Sequence, residues 1–281
     1  MTLTSFCIVL FAAILHAGWN LFIKSANDKF SSMSLLCAGS VLVCALVLPW
    51  LPQPAPASWP YLAASVACQL IYYGLLIAAY RYADMSQAYP VMRGTAPLWV
   101  VLFGLAVFHQ ELSSRQIFAI CLLAAGICLM ANFQQIRRQP ELRKGLAFAL
   151  LNAVFIASYT VIDGIGVRLA VTSASYTLWI FLLSSALFCC FSFWRKPQQI
   201  LVLYRQHWPD GLKAGAASIT SYGLALWAMQ SAPVAMVAAL RESSIIFAAL
   251  FAYFYLGELI DRRRMLAIAL ALAGVLLLRL T

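Results

Sequence analysis

The sequence predicts an all-α integral membrane protein, with ten transmembrane helices arranged as a five-plus-five inverted-topology repeat. Three observations carry this reading. Of the 281 residues, 64% are hydrophobic and only 10% charged, where a soluble domain is about 25% charged. So little polar surface cannot cover a water-facing body. Apolar runs of about 20 residues, the length a helix needs to cross hydrocarbon, recur along the chain, broken by Pro, Gly or charge. A segment of the first half also returns in the second.

The spans follow in order. The first, 4–23, has no basic residue before its apolar run and Lys24 after it. That pattern fits a first span better than a cleaved leader. Spans two and three, 33–50 and 59–80, flank "PWLPQPAPASWP", whose prolines and lack of charge make a stiff loop. Span four, 87–108, holds Pro90, Gly94 and Pro97. Proline removes a helix hydrogen bond and frees a carbonyl, so span four is the expected kinked helix and these three residues its candidate hinge. Span five, 115–133, starts at "SSRQ", which reads as a capping box. Next comes the longest charged break, "QQIRRQPELRK". Spans 145–163, 173–193, 211–230, 234–256 and 264–280 complete the chain. Asp163 reads as a solvated cap where span six ends, and Asp261 as the N-cap of span ten. Glu111 and Glu258, just past their helices, read as structural. The divisions are therefore 1–133, a first five-helix repeat; 134–144, a cytoplasmic connecting loop; and 145–281, a second five-helix repeat.

The duplicated segments are 72–111 and 221–258. Each has Tyr-Gly, a short Ala-rich break, an Arg inside a helix, and a Glu after it. Tyr73 answers Tyr222, Arg93 answers Arg241, and Glu111 answers Glu258. Five spans per half force the halves into opposite orientations, an architecture of many secondary transporters. Lys and Arg favour the cytoplasmic loops. The breaks after the odd-numbered spans hold Lys24, Lys29, Arg81, Arg137, Arg138, Arg143, Lys144, Arg195, Lys196, Arg205, Lys213, Arg262, Arg263 and Arg264; the other face holds only Arg115, Arg168 and Arg279. Both termini are thereby expected outside, and the protein is expected as a multi-pass resident of a bacterial-type inner membrane.

The two basic residues left over, Arg93 and Arg241, lie inside spans four and nine. A central Arg costs about 2.5–3.5 kcal/mol on insertion scales, so such residues usually face a cavity. Snorkelling to the headgroups is one alternative, and a structural ion pair of Arg241 with Glu242 or a neighbouring helix is another. Adjacent helix positions point about 100° apart, so Glu242 is free to serve a different partner. Counted along their helices, Arg93 stands nearer the cytoplasm and Arg241 nearer the outside. His16, Trp19 and Asn20, at i, i+3 and i+4, make a polar stripe on one face of span one. They either line a cavity or bond across helices. Tyr73, Tyr89, Tyr159, Ser221 and Tyr222, with Gln69 and Tyr72, offer hydroxyl and amide groups at membrane depth. Arginine suits carboxylate or phosphonate oxygens, bidentate where geometry allows. The expected solute is therefore small, polar, and anionic or zwitterionic.

The ten-span repeat, with "FGLAVFHQELSSRQ" and "FAYFYLGELIDRRR", resembles the drug/metabolite transporter superfamily, EamA-like branch. The resemblance covers nearly the whole chain. It implies that spans 1–4 and 6–9 enclose a central cavity, that spans 5 and 10 stand outside it, and that the protein is a secondary transporter, mostly an exporter, working by alternating access. "HAGWNLFIK", "AYPVMRGTAPL" and "AALRESSIIFA" also resemble a subgroup associated with phosphonate utilisation, which leaves uptake of an organic anion as an alternative. A lipid-linked headgroup flippase is another.

The composition argues against other classes. The net charge of +10 sits in short loops rather than on one solvated face, so no nucleic-acid partner is expected. The eight cysteines lie inside apolar runs, without C-x-x-C spacing, and read as small buried side chains rather than zinc ligands or disulfides. No G-x-x-x-x-G-K-[ST] is present. No metal, cofactor or catalytic residue is expected, and the chain is not expected to be an enzyme. The expected partners are the solute and membrane lipid, with the chain a monomer or homodimer.

Overall fold

The structure, a computed structural model, describes every residue except 27, 84, 109–110, 132–137, 257–260 and 281, together with the side chains of 24, 25, 85, 86, 107, 108, 252, 255 and 256. Glu258, Arg137, the start of the charged connecting loop and the Lys24 side chain lie outside the described residues. The described residues are helical, with no strand among them. The helices are α1 Leu3–Ser25, α2 Lys29–Val47, α3 Trp59–Tyr82, α4 Met85–Phe108 and α5 Ser114–Leu129, then α6 Pro140–Leu169, α7 Ser173–Arg195, α8 Pro197–Met229, α9 Val234–Glu242, α10 Ser244–Leu256 and α11 Arg262–Leu280.

Among the described residues, six elements are long and apolar enough to cross a bilayer by length and composition: α1, α2, α3, α6, α7 and the α9–α10 run. The other expected spans, in α4, α5, the later part of α8 and α11, are helical too. The chain is a multi-pass, all-helical membrane protein.

Local chemistry sets the helix ends. Thr2, Asp28 and Thr172 accept hydrogen bonds from first-turn amides of α1, α2 and α7, which satisfies donors that a helix start leaves unpaired. Ser113 and Gln116 form the capping box expected at α5, and Asp261 accepts from the Arg264 amide at α11. At the opposite ends, Arg168 donates to the carbonyls of Met229 and Ala232, and Arg263 to that of Leu129. A cation there complements the negative end of a helix dipole.

The halves interleave. α3 packs along α6 and α1 along α8; α4 also meets α6, while α9 and α10 meet α1. These pairs recur when the halves are exchanged, as a twofold relation between them requires. α5 and α11 pack on each other. Small residues let these backbones approach. A Cβ on Gly39 would strike the Gly211 carbonyl, and one on Gly274 would sit 2.7 Å from the Leu123 amide nitrogen.

Four features differ from the sequence expectation. α6 runs six residues past Asp163, which is fully buried rather than a solvated cap. α8 begins at Pro197, well before the expected span, and kinks at His207, ahead of Pro209. Span four, expected to be the kinked or opened helix, is unbroken: α4 is helical through Pro90 and Pro97. Span nine is instead the interrupted one, where α9 ends and α10 begins around Ser243. All eight cysteines are free, but Cys7, Cys121 and Cys190 are exposed on helix surfaces rather than buried.

Candidate functional site: a two-arginine cavity

The break in span nine is a tightening of the helix. The Ser243 amide donates to Leu240 and the Ile246 amide to Ser243, both i to i+3 bonds, at 3.1 and 2.9 Å. Arg241 thereby lies in the last turn of α9, where the dipole favours a cation. Glu242 lies just ahead of α10, whose N-terminus favours an anion. Both are buried, and so is Arg93 on α4.

These three charges meet. Arg93 Nε lies 2.6 Å from Glu242 Oε2, and Arg241 Nη2 lies 3.8 Å from Glu242 Oε1. Although counted nearer opposite faces along their helices, the two arginines bring their guanidinium groups together on one carboxylate. Arg93 Nη2 is also 3.1 Å from His16 Nε2. Arginine has only donors, so His16 accepts there, which a neutral imidazole does. Arg241 lies over the Tyr222 ring at 5.1 Å, and Arg93 near Tyr89 at 5.9 Å.

A cavity opens beside this cluster, with about 70 Å³ of space available to the centres of water-sized molecules. α1 contributes His16 and Trp19, α2 Met33 and Leu36, and α3 Gln69, Tyr72 and Tyr73. Arg93 of α4, Tyr159 of α6, Phe181 of α7, Ser218 and Tyr222 of α8 and Arg241 of α9 complete the wall. Four helices of the first half and four spans of the second therefore line it. α5 and α11 supply none of these residues.

The cavity brings together His16, Trp19, Tyr73, Arg93, Tyr159, Tyr222 and Arg241 from among the expected site residues. Glu242 stands behind the guanidinium groups and Tyr89 beside one of them. Asn20 and Ser221 are turned away from the cavity. The Asn20 amide donates within its own helix to the His16 carbonyl at 2.7 Å, and the Ser221 hydroxyl ties α8 to the Ala12 carbonyl of α1 at 2.7 Å. Gly94 faces α5, where a Cβ would come 2.6 Å from Cys128 Sγ. Its role is close packing.

Sequence reasoning missed Asp163. Its carboxylate accepts from the Tyr176 hydroxyl at 3.1 Å and the Tyr222 hydroxyl at 2.6 Å. Because Tyr222 also lines the cavity, Asp163 sits one residue behind the wall. The pair Gly164 and Gly166 was the available signal. Tyr176 and Val234 crowd against them, marking tight helix packing where the sequence suggested a helix end.

A helical membrane bundle whose two interleaved halves wall a charged central cavity is the build of a transporter. A family model agrees: the EamA-like transporter family matches residues 3–132 and again 143–280. The chain belongs to that family, within the drug/metabolite transporter superfamily, and is a membrane transporter. A search of the curated proteins finds no match. Among solved structures, one titled "Crystal structure of protein" is similar at a TM-score of 0.75 and 18% identity, covering 99% of this chain and 98% of its own. That likeness speaks to the fold alone.

Proposed function

We propose that the protein is a secondary transporter, an exporter, that moves a small anionic or zwitterionic metabolite through the two-arginine cavity by alternating access. One observation carries the solute class. On cavity-lining residues, Trp19 Nε1 and Arg241 Nε are buried hydrogen-bond donors with no partner in the protein. Buried donors left unmatched cost free energy; Arg241 Nε belongs to a guanidinium group that attracts negative charge, and Trp19 lines the same cavity. A carboxylate or phosphonate oxygen matches this set, since it only accepts.

The enclosing ring of helices supports a water-borne solute over a lipid-linked headgroup, which would need a groove open to lipid. The bias of Lys and Arg supports cytoplasmic odd-numbered breaks and external termini. The test is a thermal-shift screen of purified protein against phosphonates, amino acids and dicarboxylates, because a bound solute raises stability by mass action. At least one anionic member should stabilise the wild type, and Arg241→Gln should abolish that shift. Stabilisation by cations or lipids alone would overturn the solute class. Counterflow in oriented proteoliposomes would then read the direction.

A further inference from the structure

We infer that Asp163 is a proton-binding site coupled to the cavity, taking up one proton as an anion enters and releasing it as the anion leaves. The inference rests on the anionic reading of the solute and adds the coupling ion to it; a proton carried with the anion makes outward transport run down the anion's own gradient.

Three observations carry it. Asp163 is fully buried at membrane depth, and no cation lies within ion-pair distance of it among the described residues. Buried carboxylates without a cation are rare inside membranes and tend to mark proton paths. Second, polar side chains from neighbouring helices gather at it. Tyr176 of α7 and Tyr222 of α8 donate to it, Ser65 and Cys68 of α3 are near enough to act on it electrostatically, and Arg241 of α9 exerts its charge on it. Third, two of these links lead to the cavity. Tyr222 lies in the wall beneath the Arg241 guanidinium, and Ser65 accepts from Gln69, another wall residue, at 3.2 Å.

Charge counting turns this arrangement into coupling. Arg93 and Arg241 are positive, Glu242 and Asp163 negative, and His16 accepts as a neutral ring. The empty site is balanced. A monoanion entering alone would leave one uncompensated negative charge in a low-dielectric interior, which is costly. A proton added to an Asp163 oxygen restores the balance. The neutral acid keeps its partners, because a phenol both donates and accepts. By linkage, if the proton favours the anion, the anion favours the proton equally.

The test uses the purified, full-length protein and no solute. Infrared spectroscopy follows the C=O stretch of a neutral carboxyl group as pH is varied over roughly 5 to 9, the range open to strongly buried carboxylates. A titrating band should appear in the wild type and vanish in Asp163→Asn. Its midpoint should rise in Arg241→Gln, which removes a positive charge. It should fall in Glu242→Gln, which removes a negative one. Each shift should be about one pH unit or more. Either variant suffices if the other fails to fold, since the expected directions are opposite. A missing band, a band lost in Glu242→Gln but kept in Asp163→Asn, or a midpoint indifferent to the cavity charges would overturn the inference. No solute is involved, so failure of the anion screen and failure of this titration are separate results.

Discussion

The two helices that carry an intramembrane arginine are built differently, although they are counterparts in the two halves. α4 holds Arg93 between two prolines and a glycine and stays helical over its 24 residues. The other half holds Arg241 in a nine-residue helix that ends one residue later and restarts at Ser244. The difference teaches that a proline inside a membrane helix is not by itself a joint. Neighbouring helices and side-chain hydroxyls can satisfy what it leaves open. The joint lies where two opposite charges are adjacent in sequence and each gains from a helix end. α4 is thus the continuous arm and α9–α10 the interrupted one, and Glu242 is where they are pinned together.

The largest effect should come from removing the pin. Glu242→Ala leaves two buried guanidinium groups without their anion, and breaking a buried pair from one side costs about 3–5 kcal/mol. Thermal unfolding in detergent checks this. An unchanged midpoint would mean that the arms are not joined through this carboxylate.

The comparison sharpens with the two arginines taken singly. Arg93 is the closer partner of Glu242, at 2.6 Å against 3.8 Å for Arg241. Arg93→Gln should therefore cost the more, about 1.5–3 kcal/mol, the scale of a close interaction with a charged group. Arg241→Gln should cost less than half of that. Both should lose binding of the anion found in the screen. Equal stability losses would put the arginines on the same footing and break the distinction between the arms.

Much of this was legible in the sequence. Apolar run lengths gave the spans. The repeat paired Arg93 with Arg241, and the residue types on α1, α3 and α8 pointed to the cavity. What the sequence hid has physical causes. Asp163 followed by Gly-x-Gly reads as a helix end, because a lone acid and flexible glycines are both unfavourable mid-membrane; the structure shows Asp163 capped by two phenols from other helices. No local pattern announces such distant partners. The joint was mislaid for the opposite reason. Proline is a loud local signal, whereas "ESS" at 242–244 is a quiet one, although serine favours helix starts. Asn20 and Ser221 are polar and buried, but periodicity cannot say whether a hydroxyl or amide turns to a cavity or to a carbonyl.

A smaller effect tests the joint itself. The hydroxyls of Ser243 and Ser244 are buried without a partner in the protein. Removing an unpartnered buried hydroxyl returns its desolvation cost, so Ser243→Ala should raise stability by about 1 kcal/mol. Pro97→Ala, in the continuous arm, should leave the accessibility of the cavity unaltered, as read by labelling a cysteine placed at Ser218 in an otherwise cysteine-free background. A shift in labelling from Pro97→Ala and none from Ser243→Ala would transfer the joint to α4.

The smallest effect lies outside the membrane, where the same kind of ion pair meets water. Asp28 caps α2 and pairs with Lys196 at 2.9 Å, with Gln199 donating to the same oxygen at 3.0 Å. Partial burial pushes its carboxyl upward, but hydrogen bonds from Ser31 and Lys196 and the lysine charge outweigh this and hold the pKa at about 2, below the ordinary 3.8. A folded-state pKa below the unfolded one adds stability that is complete above pH 3.8 and fades as pH falls toward 2. The side chain is about one-third exposed, so solvent screening keeps the contribution small, in the range of a surface pair at under about 1 kcal/mol. Asp28→Asn should therefore lower the unfolding midpoint slightly at neutral pH. Wild type and variant should converge as the pH drops from about 4 to about 2. The difference at neutral pH should also shrink in high salt, because exposed charges are screened. The stability cost of Glu242→Ala should persist in the same salt, because screening does not reach a buried pair. If salt diminished both costs alike, the pin between the two arms would be as wet as the loop at Asp28, and the contrast between a buried site and a solvated one would be lost.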